Sequence, residues 1–186
     1  MFTVKKSTPF LARAVAVAVA TVGIVGILAS GASQAAQASG NSTGTVIVPI
    51  AITSTADLSF GNFAAGTGAG TITVSTSGAR TVAGVVTIGT GGTAARFDIT
   101  GSAGATYSIT HGGTAVLTNT GGAGETMTLT KFSDLTGADA TSGNVATGTL
   151  SGLGTQSLFV GGTLDVGANQ VAGTYTGTVI ATVEYN

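Results

Sequence analysis

GTYTGTVIATVEYN, residues Gly173–Asn186, is the stretch whose reading decides the fold. Tyr175, Val179, Ala181, Val183 and Tyr185 share one parity, while Thr174, Thr176, Thr178, Thr182 and Glu184 share the other. A period of two is the signature of a strand with one buried face and one wet face. Working back towards the N-terminus, the same period recurs between Gly-rich turns. Val46, Val48, Ile50 and Ile52 line one face of GTVIVPIAIT, residues 44–53. Short strands are expected at Leu58–Phe60, Thr71–Ser75, Thr81–Ile88, Ala115–Thr118 and around Met127 and Leu129. RFDIT (Arg96–Thr100) and TYSIT (Thr106–Thr110) flank GSAGA, a spacing that predicts a hairpin. Leu158–Val160 and Leu164–Val166 read as two pieces around a Gly161-Gly162 break, and Ser133–Gly148 as a long polar loop. Many short strands with turns between them predict an all-β, two-sheet antiparallel sandwich.

The N-terminus has a different character. Lys5, Lys6 and Arg13 precede an uncharged run from Ala14 to Ala29, and a small-residue stretch follows. This is the pattern of a Sec-type signal peptide, a helix cleaved after Ala38 or after Ala35. The apolar run is shorter than the roughly 20 residues that a membrane-spanning helix needs, so no span is expected after cleavage. The expected division is therefore 1–38 signal peptide, 39–53 N-terminal strand and candidate donor arm, and 54–186 sandwich. The chain is expected to be exported to the periplasm and then to the cell surface or beyond.

The signal carries three of the six basic residues and none of the seven acidic ones. The mature chain thus keeps three basic and seven acidic groups, a net charge of about −4, and has no basic cluster for nucleic acid or an anionic membrane. Cysteine is absent, so the fold rests on core and sheets rather than disulfides.

Chemistry finds little material. The single histidine, His111, follows the Tyr107–Ile109 segment and reads as an exposed turn residue. Nucleophile elbows are absent, and GTLSG at Gly148–Gly152 has the wrong spacing. One histidine without cysteine does not make a zinc site. Asp134, Asp139 and Asn144 share a loop but miss the calcium-loop spacing. The expectation is a protein without catalytic residues, metal or cofactor; a cleft gathering two or more of Asp98, Asp134, Asp139 and His111 would reverse it.

DLSFG (Asp57–Gly61), RTV (Arg80–Val82), RFDITGSAGATYSIT, LFVGGTLDVGANQ and AGTYTGTVIATVEYN together resemble the bacterial domain of unknown function 4402 across nearly all of the mature chain. Through STGTVIVPIAIT, LSFG and the last strand, the chain is more loosely similar to spore coat protein U and to pilin subunits of archaic chaperone–usher fimbriae. That similarity implies an Ig-like sandwich lacking one strand. A periplasmic chaperone fills the gap first, and the N-terminal arm of a neighbouring copy or related subunit fills it after delivery by an outer-membrane usher. Val46, Val48, Ile50 and Ile52 would be the plugs; Gly173, Tyr175, Val179, Ala181, Val183 and Tyr185 would form the acceptor edge. Pro49 removes one ladder N–H from the arm. The alternative is a self-contained secreted sandwich that binds a surface ligand such as a glycan through Phe63–Gly70 and Ser133–Gly148. What separates the two is which strand lies beside Thr174–Tyr185.

Overall fold

The computed structural model describes residues 35–186 apart from residue 123. Most of the expected signal peptide, residues 1–34, lies outside the described residues. The chain divides into Met1–Thr43 and Gly44–Asn186. In the first unit, residues 35–43 are exposed and carry no regular structure. In the second, every regular element is a strand. Among the described residues no helix is long and apolar enough to cross a membrane.

The strands are β1 (Ala51–Ala56), β2 (Asn62–Ala65), β3 (Gly70–Val74), β4 (Arg80–Ala83), β5 (Val85–Ile88), β6 (Ala95–Thr100), β7 (Thr106–Gly113), β8 (Val116–Asn119), β9 (Thr126–Asp134), β10 (Thr147–Thr149), β11 (Thr155–Val166), β12 (Tyr175–Thr176) and β13 (Val179–Tyr185). All pairings are antiparallel, and β11 is the spine of the larger sheet. One side of β11 pairs β6 over its first half and β3 over its second; the other side pairs β9. β1 lies beyond β6, β4 beyond β3, and β8 then β12 beyond β9. The opposing layer holds a three-stranded sheet, β10-β7-β13, and a two-stranded ribbon, β2-β5. This is an antiparallel β-sandwich.

Two clusters fill it. The first contains Phe97, Ile99, Tyr107, Ile109, Leu150, Leu158, Val160 and Val183, between the spine sheet and β10-β7-β13. The second contains Phe60, Ile72, Val74, Val85, Met127, Leu129, Leu164 and Val166, beneath the ribbon. Each fully buried aliphatic or aromatic side chain contributes about 1.5–3 kcal/mol relative to exposure. Leu58 packs against both clusters.

The structure corrects several sequence readings. Arg96–Thr100 and Thr106–Thr110 do not form a hairpin: β6 pairs β1 and β11, while β7 pairs β10 and β13. Phe97 and Ile99 face Tyr107 and Ile109 across the core, so GSAGA carries the chain from one layer to the other, across a gap of about 10 Å. Gly161-Gly162 is no break, because β11 runs unbroken for 12 residues. A Cβ on Gly161 would overlap the Phe132 ring and the Val74 carbonyl, and one on Gly162 would lie 2.8 Å from Leu129. The pair therefore marks close approach on both faces of a central strand.

Thr81–Ile88 is two strands, bent at Gly84, whose φ of 72° places it in the left-handed region. Leu58–Phe60 supplies only a single bridge, Ser59 to Thr93. The strand falls instead at Asn62–Ala65, overlapping the start of the Phe63–Gly70 segment read as a binding loop. Ser133–Gly148 begins within β9 and ends within β10. Between them the loop is tied down: Ser133 is buried and its hydroxyl accepts from the Val145 N–H, while Thr76 exchanges hydrogen bonds with Ala140. The last strand is divided at Gly177-Thr178, where the chain leaves β8 and joins β7. The predicted alternation survives the switch: Tyr175, Val179, Ala181, Val183 and Tyr185 are partly or fully buried, and the intervening residues are exposed.

Candidate functional site

β13 pairs β7 through seven uninterrupted register partners, from Val179 opposite Gly113 to Tyr185 opposite Tyr107. Among the described residues, no strand pairs its other side. A regular edge of this length exposes a row of backbone donors and acceptors, and natural sheets usually blunt such edges with Lys, Pro or a bulge. None of these interrupts β13, whose single charge is Glu184.

The β1 strand, the sequence candidate for that neighbour position, pairs β6 instead, with Ala51 opposite Thr100 and Ile52 opposite Ile99. The expected strand Val46–Ile52 therefore exists only from Ala51 onwards, and Pro49 accounts for the late start, since it brings no ladder N–H. The four plug candidates are split by it. Ile50 and Ile52 pack against the first core cluster. Val46 is 99% exposed and Val48 60%.

A groove of about 800 Å³ is bordered by the segment that leads into β12. Leu117, Met127 and Leu164 floor it; residues 58–65 with Ile88 form one wall, and residues 169–175 the other. No acidic or basic side chain lines it. One cation holds the first wall from behind: Arg80 donates to the carbonyls of Phe60 (3.0 Å), Asn62 (3.4 Å) and Gly89 (2.7 Å). In the second wall, Gln170 Nε2 donates to the Tyr175 hydroxyl (2.8 Å), which donates to the Val171 carbonyl (2.7 Å). The Asn169 N–H meets the Gly66 carbonyl at 2.9 Å and ties the walls together at one end. Gly173 belongs here by close approach, since a Cβ would lie 2.5 Å from the buried Asn119 amide. An uncharged trough suits an apolar segment, and an unpaired edge can give backbone hydrogen bonds to an extended one.

The titratable residues lie in separate networks. His111 is not a turn residue; it sits within β7 opposite Ala181, partly buried. Burial, then the nearby Lys131 ammonium, hold its pKa below the ordinary imidazole value. The Lys131 amine donates to the Gly112 carbonyl at 2.6 Å, and burial lowers its pKa as well. Asp98 accepts from Ser157 (2.8 Å) and Arg96 (2.9 Å), the serine contact being the larger cause of its lowered pKa. Asp134 accepts the N–H groups of Thr136 and Ala138, which overcome the opposing effect of burial. Asp139 is held ionised by Ser75 and Ser77. None of these four candidates lines the groove.

Sequence reasoning singled out β13, Gly173 and Tyr175 of the second wall, and part of the first wall. It missed Arg80 and residues 169–172, whose roles depend on contacts far apart in the chain. One signal was available: Arg80 is one of only three basic residues after Arg13, and a scarce cation inside a strand-turn region invites a search for the carbonyls it serves.

The family model for a domain of unknown function, DUF4402, matches residues 50–185, and the chain belongs to that family. The match spans the sandwich, including the groove and β13, and begins just after Pro49. Comparison with curated proteins finds no match.

Proposed function

We propose that this member of the DUF4402 family is an exported, pilin-like structural subunit that assembles by donor-strand complementation. The observation that carries this reading is an unpaired, regular β13 edge and, elsewhere in the same sandwich, an uncharged groove, set against an arm whose Val46 and Val48 are largely exposed. The arm of a neighbouring copy adds a strand to β13 and seats alternate apolar side chains in the groove. Each valine so buried contributes about 1.5–3 kcal/mol. Donor and acceptor are different surfaces, so the contact is head-to-tail and generates an open filament rather than a closed dimer. Before assembly, a periplasmic chaperone shields the edge, and an outer-membrane usher delivers the subunit. In this reading the sandwich is Ig-like with one strand left for another chain to supply.

The test removes Ser39–Ile47, which spares β1, Ile50 and Ile52. The shortened chain is expected to fold and to remain monomeric on unheated gels and in electron micrographs, while the longer chain forms polymers. Adding a synthetic peptide of residues 44–53 is expected to raise the melting temperature of the shortened chain. Polymers formed equally well without Ser39–Ile47 would sink the reading.

A further inference from the structure

Among the described residues, the β2–β5 ribbon pairs with neither of the other sheets. Its inner side chains, Phe63, Ala65 and Val85, lie on the second core cluster, so apolar contact rather than a backbone ladder holds it down along its length. At one end a single side chain closes it. Arg80 stands on β4 opposite Val74. Its Nη1 donates to the Phe60 and Asn62 carbonyls and its Nη2 to the Gly89 carbonyl. Asn62 begins β2 and Gly89 follows β5, so one guanidinium joins both strands of the ribbon to the sheet below. The one ion pair among the described residues is that of Arg96 with Asp98, and the charge of Arg80 is therefore met by carbonyls. Gly61 makes the grip possible, because a Cβ there would stand 2.6 Å from Nη1.

Beyond this latch, Ser59 and Thr93 exchange backbone hydrogen bonds of 2.9 Å. At the opposite end, Gly84 alone joins β5 to β4, and the Gly66 carbonyl accepts from Asn169. The ribbon is thus anchored past both ends, and between the anchors Arg80 supplies the side-chain hydrogen bonds that keep it from bowing outward. An element with so few hydrogen bonds to its surroundings opens at a lower free energy than the ladders around it. The groove beside the ribbon has its floor already covered. Met127 is 3% exposed and Leu164 1%, while Ile88 at 55% and Val171 at 48% stand open on the rim. An apolar side chain entering the groove meets the rim; to reach the floor it must displace the ribbon.

We propose that the β2–β5 ribbon is a strap latched by Arg80, that an apolar segment reaches the floor of the groove only when the latch releases, and that Arg80 is the positioning residue that sets how fast the groove is filled. The inference rests on the assembly reading given above, in which the groove seats apolar side chains, but its test is made on a single chain.

Hydrogen exchange of the full exported chain, kept dilute so that it stays monomeric, is followed by mass spectrometry. With the latch intact, the amides of β2 and β5 are expected to exchange faster than those of β7 and β11. Arg80→Gln is expected to speed exchange in β2 and β5 by at least roughly tenfold, the factor for losing one hydrogen bond to a charged group, and to leave β7 and β11 unchanged. Uptake of Nile red, a neutral apolar probe, is expected to quicken by the same factor in stopped-flow fluorescence. Arg80→Lys keeps the charge, but its ammonium lacks the planar fork that bridges the two strands; an intermediate rate is expected, and this variant decides the matter should Arg80→Gln melt at a markedly lower temperature. Unchanged exchange in the ribbon, equal acceleration of the ribbon and β7, or an unchanged Nile red rate beside faster ribbon exchange would each overturn the proposal. None of these readings involves polymer formation, so failure here and failure of the assembly reading are distinguishable.

Discussion

The two halves of this sandwich share one spine and differ in their roofs. β11 contributes Leu158 and Val160 to the first cluster and Leu164 and Val166 to the second. Over the first cluster lies a three-stranded sheet in continuous register. Over the second lies a two-stranded ribbon, assisted by Phe60 and by an arginine that grips carbonyls. Equal floors under unequal roofs leave the second half with a trough. The two ends of one core therefore differ in how completely they are covered, and the less covered parts of a fold are generally the less stable ones.

That contrast can be broken by substitution. Leu158→Ala, at a fully buried site in the first half, is expected to cost about 2–5 kcal/mol. Phe63→Ala, at a half-buried site on the groove side of the ribbon, is expected to cost no more than about 2 kcal/mol. Urea unfolding of both variants decides. Equal losses would mean that the second roof is as complete as the first and that the halves do not differ.

A smaller effect comes from the seam. Lys131 follows Leu129, and His111 follows Ile109, on the inward parity of their strands. The depressed His111 pKa means that the unfolded chain binds this proton more readily than the folded one. Above the ordinary imidazole value of 6.5 both states are neutral and the group contributes no pH dependence. As pH falls below 6.5 and through the folded pKa, stability is lost. The hydrogen-bonded carboxylates Asp98, Asp134 and Asp139 have pKa values lowered from 3.8 and lose their contribution only in stronger acid. Melting temperatures between pH 7.5 and 5 are therefore expected to fall modestly, and His111→Gln is expected to flatten the slope. An unchanged slope in that variant would remove His111 as the cause.

Alternation made the strands legible in the sequence, and in Tyr175–Tyr185 even the buried side chains. Partners were harder to read. Arg96–Thr100 and Thr106–Thr110 have hairpin spacing, yet five small residues serve equally well to cross between layers, and only the shared core of Phe97, Ile99, Tyr107 and Ile109 settles which occurs. Glycine misled in the same way. Gly84 interrupts a strand through a positive φ, whereas Gly161 and Gly162 keep one continuous by leaving room for Phe132 and Leu129. Sequence shows the missing side chain in both cases and not what occupies its place. The groove was legible only in part, because Tyr175 stands in the periodic stretch while Asn169 and Gln170, which complete its wall, come from a loop with no periodic pattern.

The pairing of β1 also sets how the molecule bears force. β1 is matched to β6 from Ala51–Thr100 to Ala56–Arg96. Tension applied through the arm shears this ladder lengthwise, so its hydrogen bonds share the load instead of opening one after another. The bulge between Ser54 and Ala56 lies at the far end, after the regular pairs have taken up the strain.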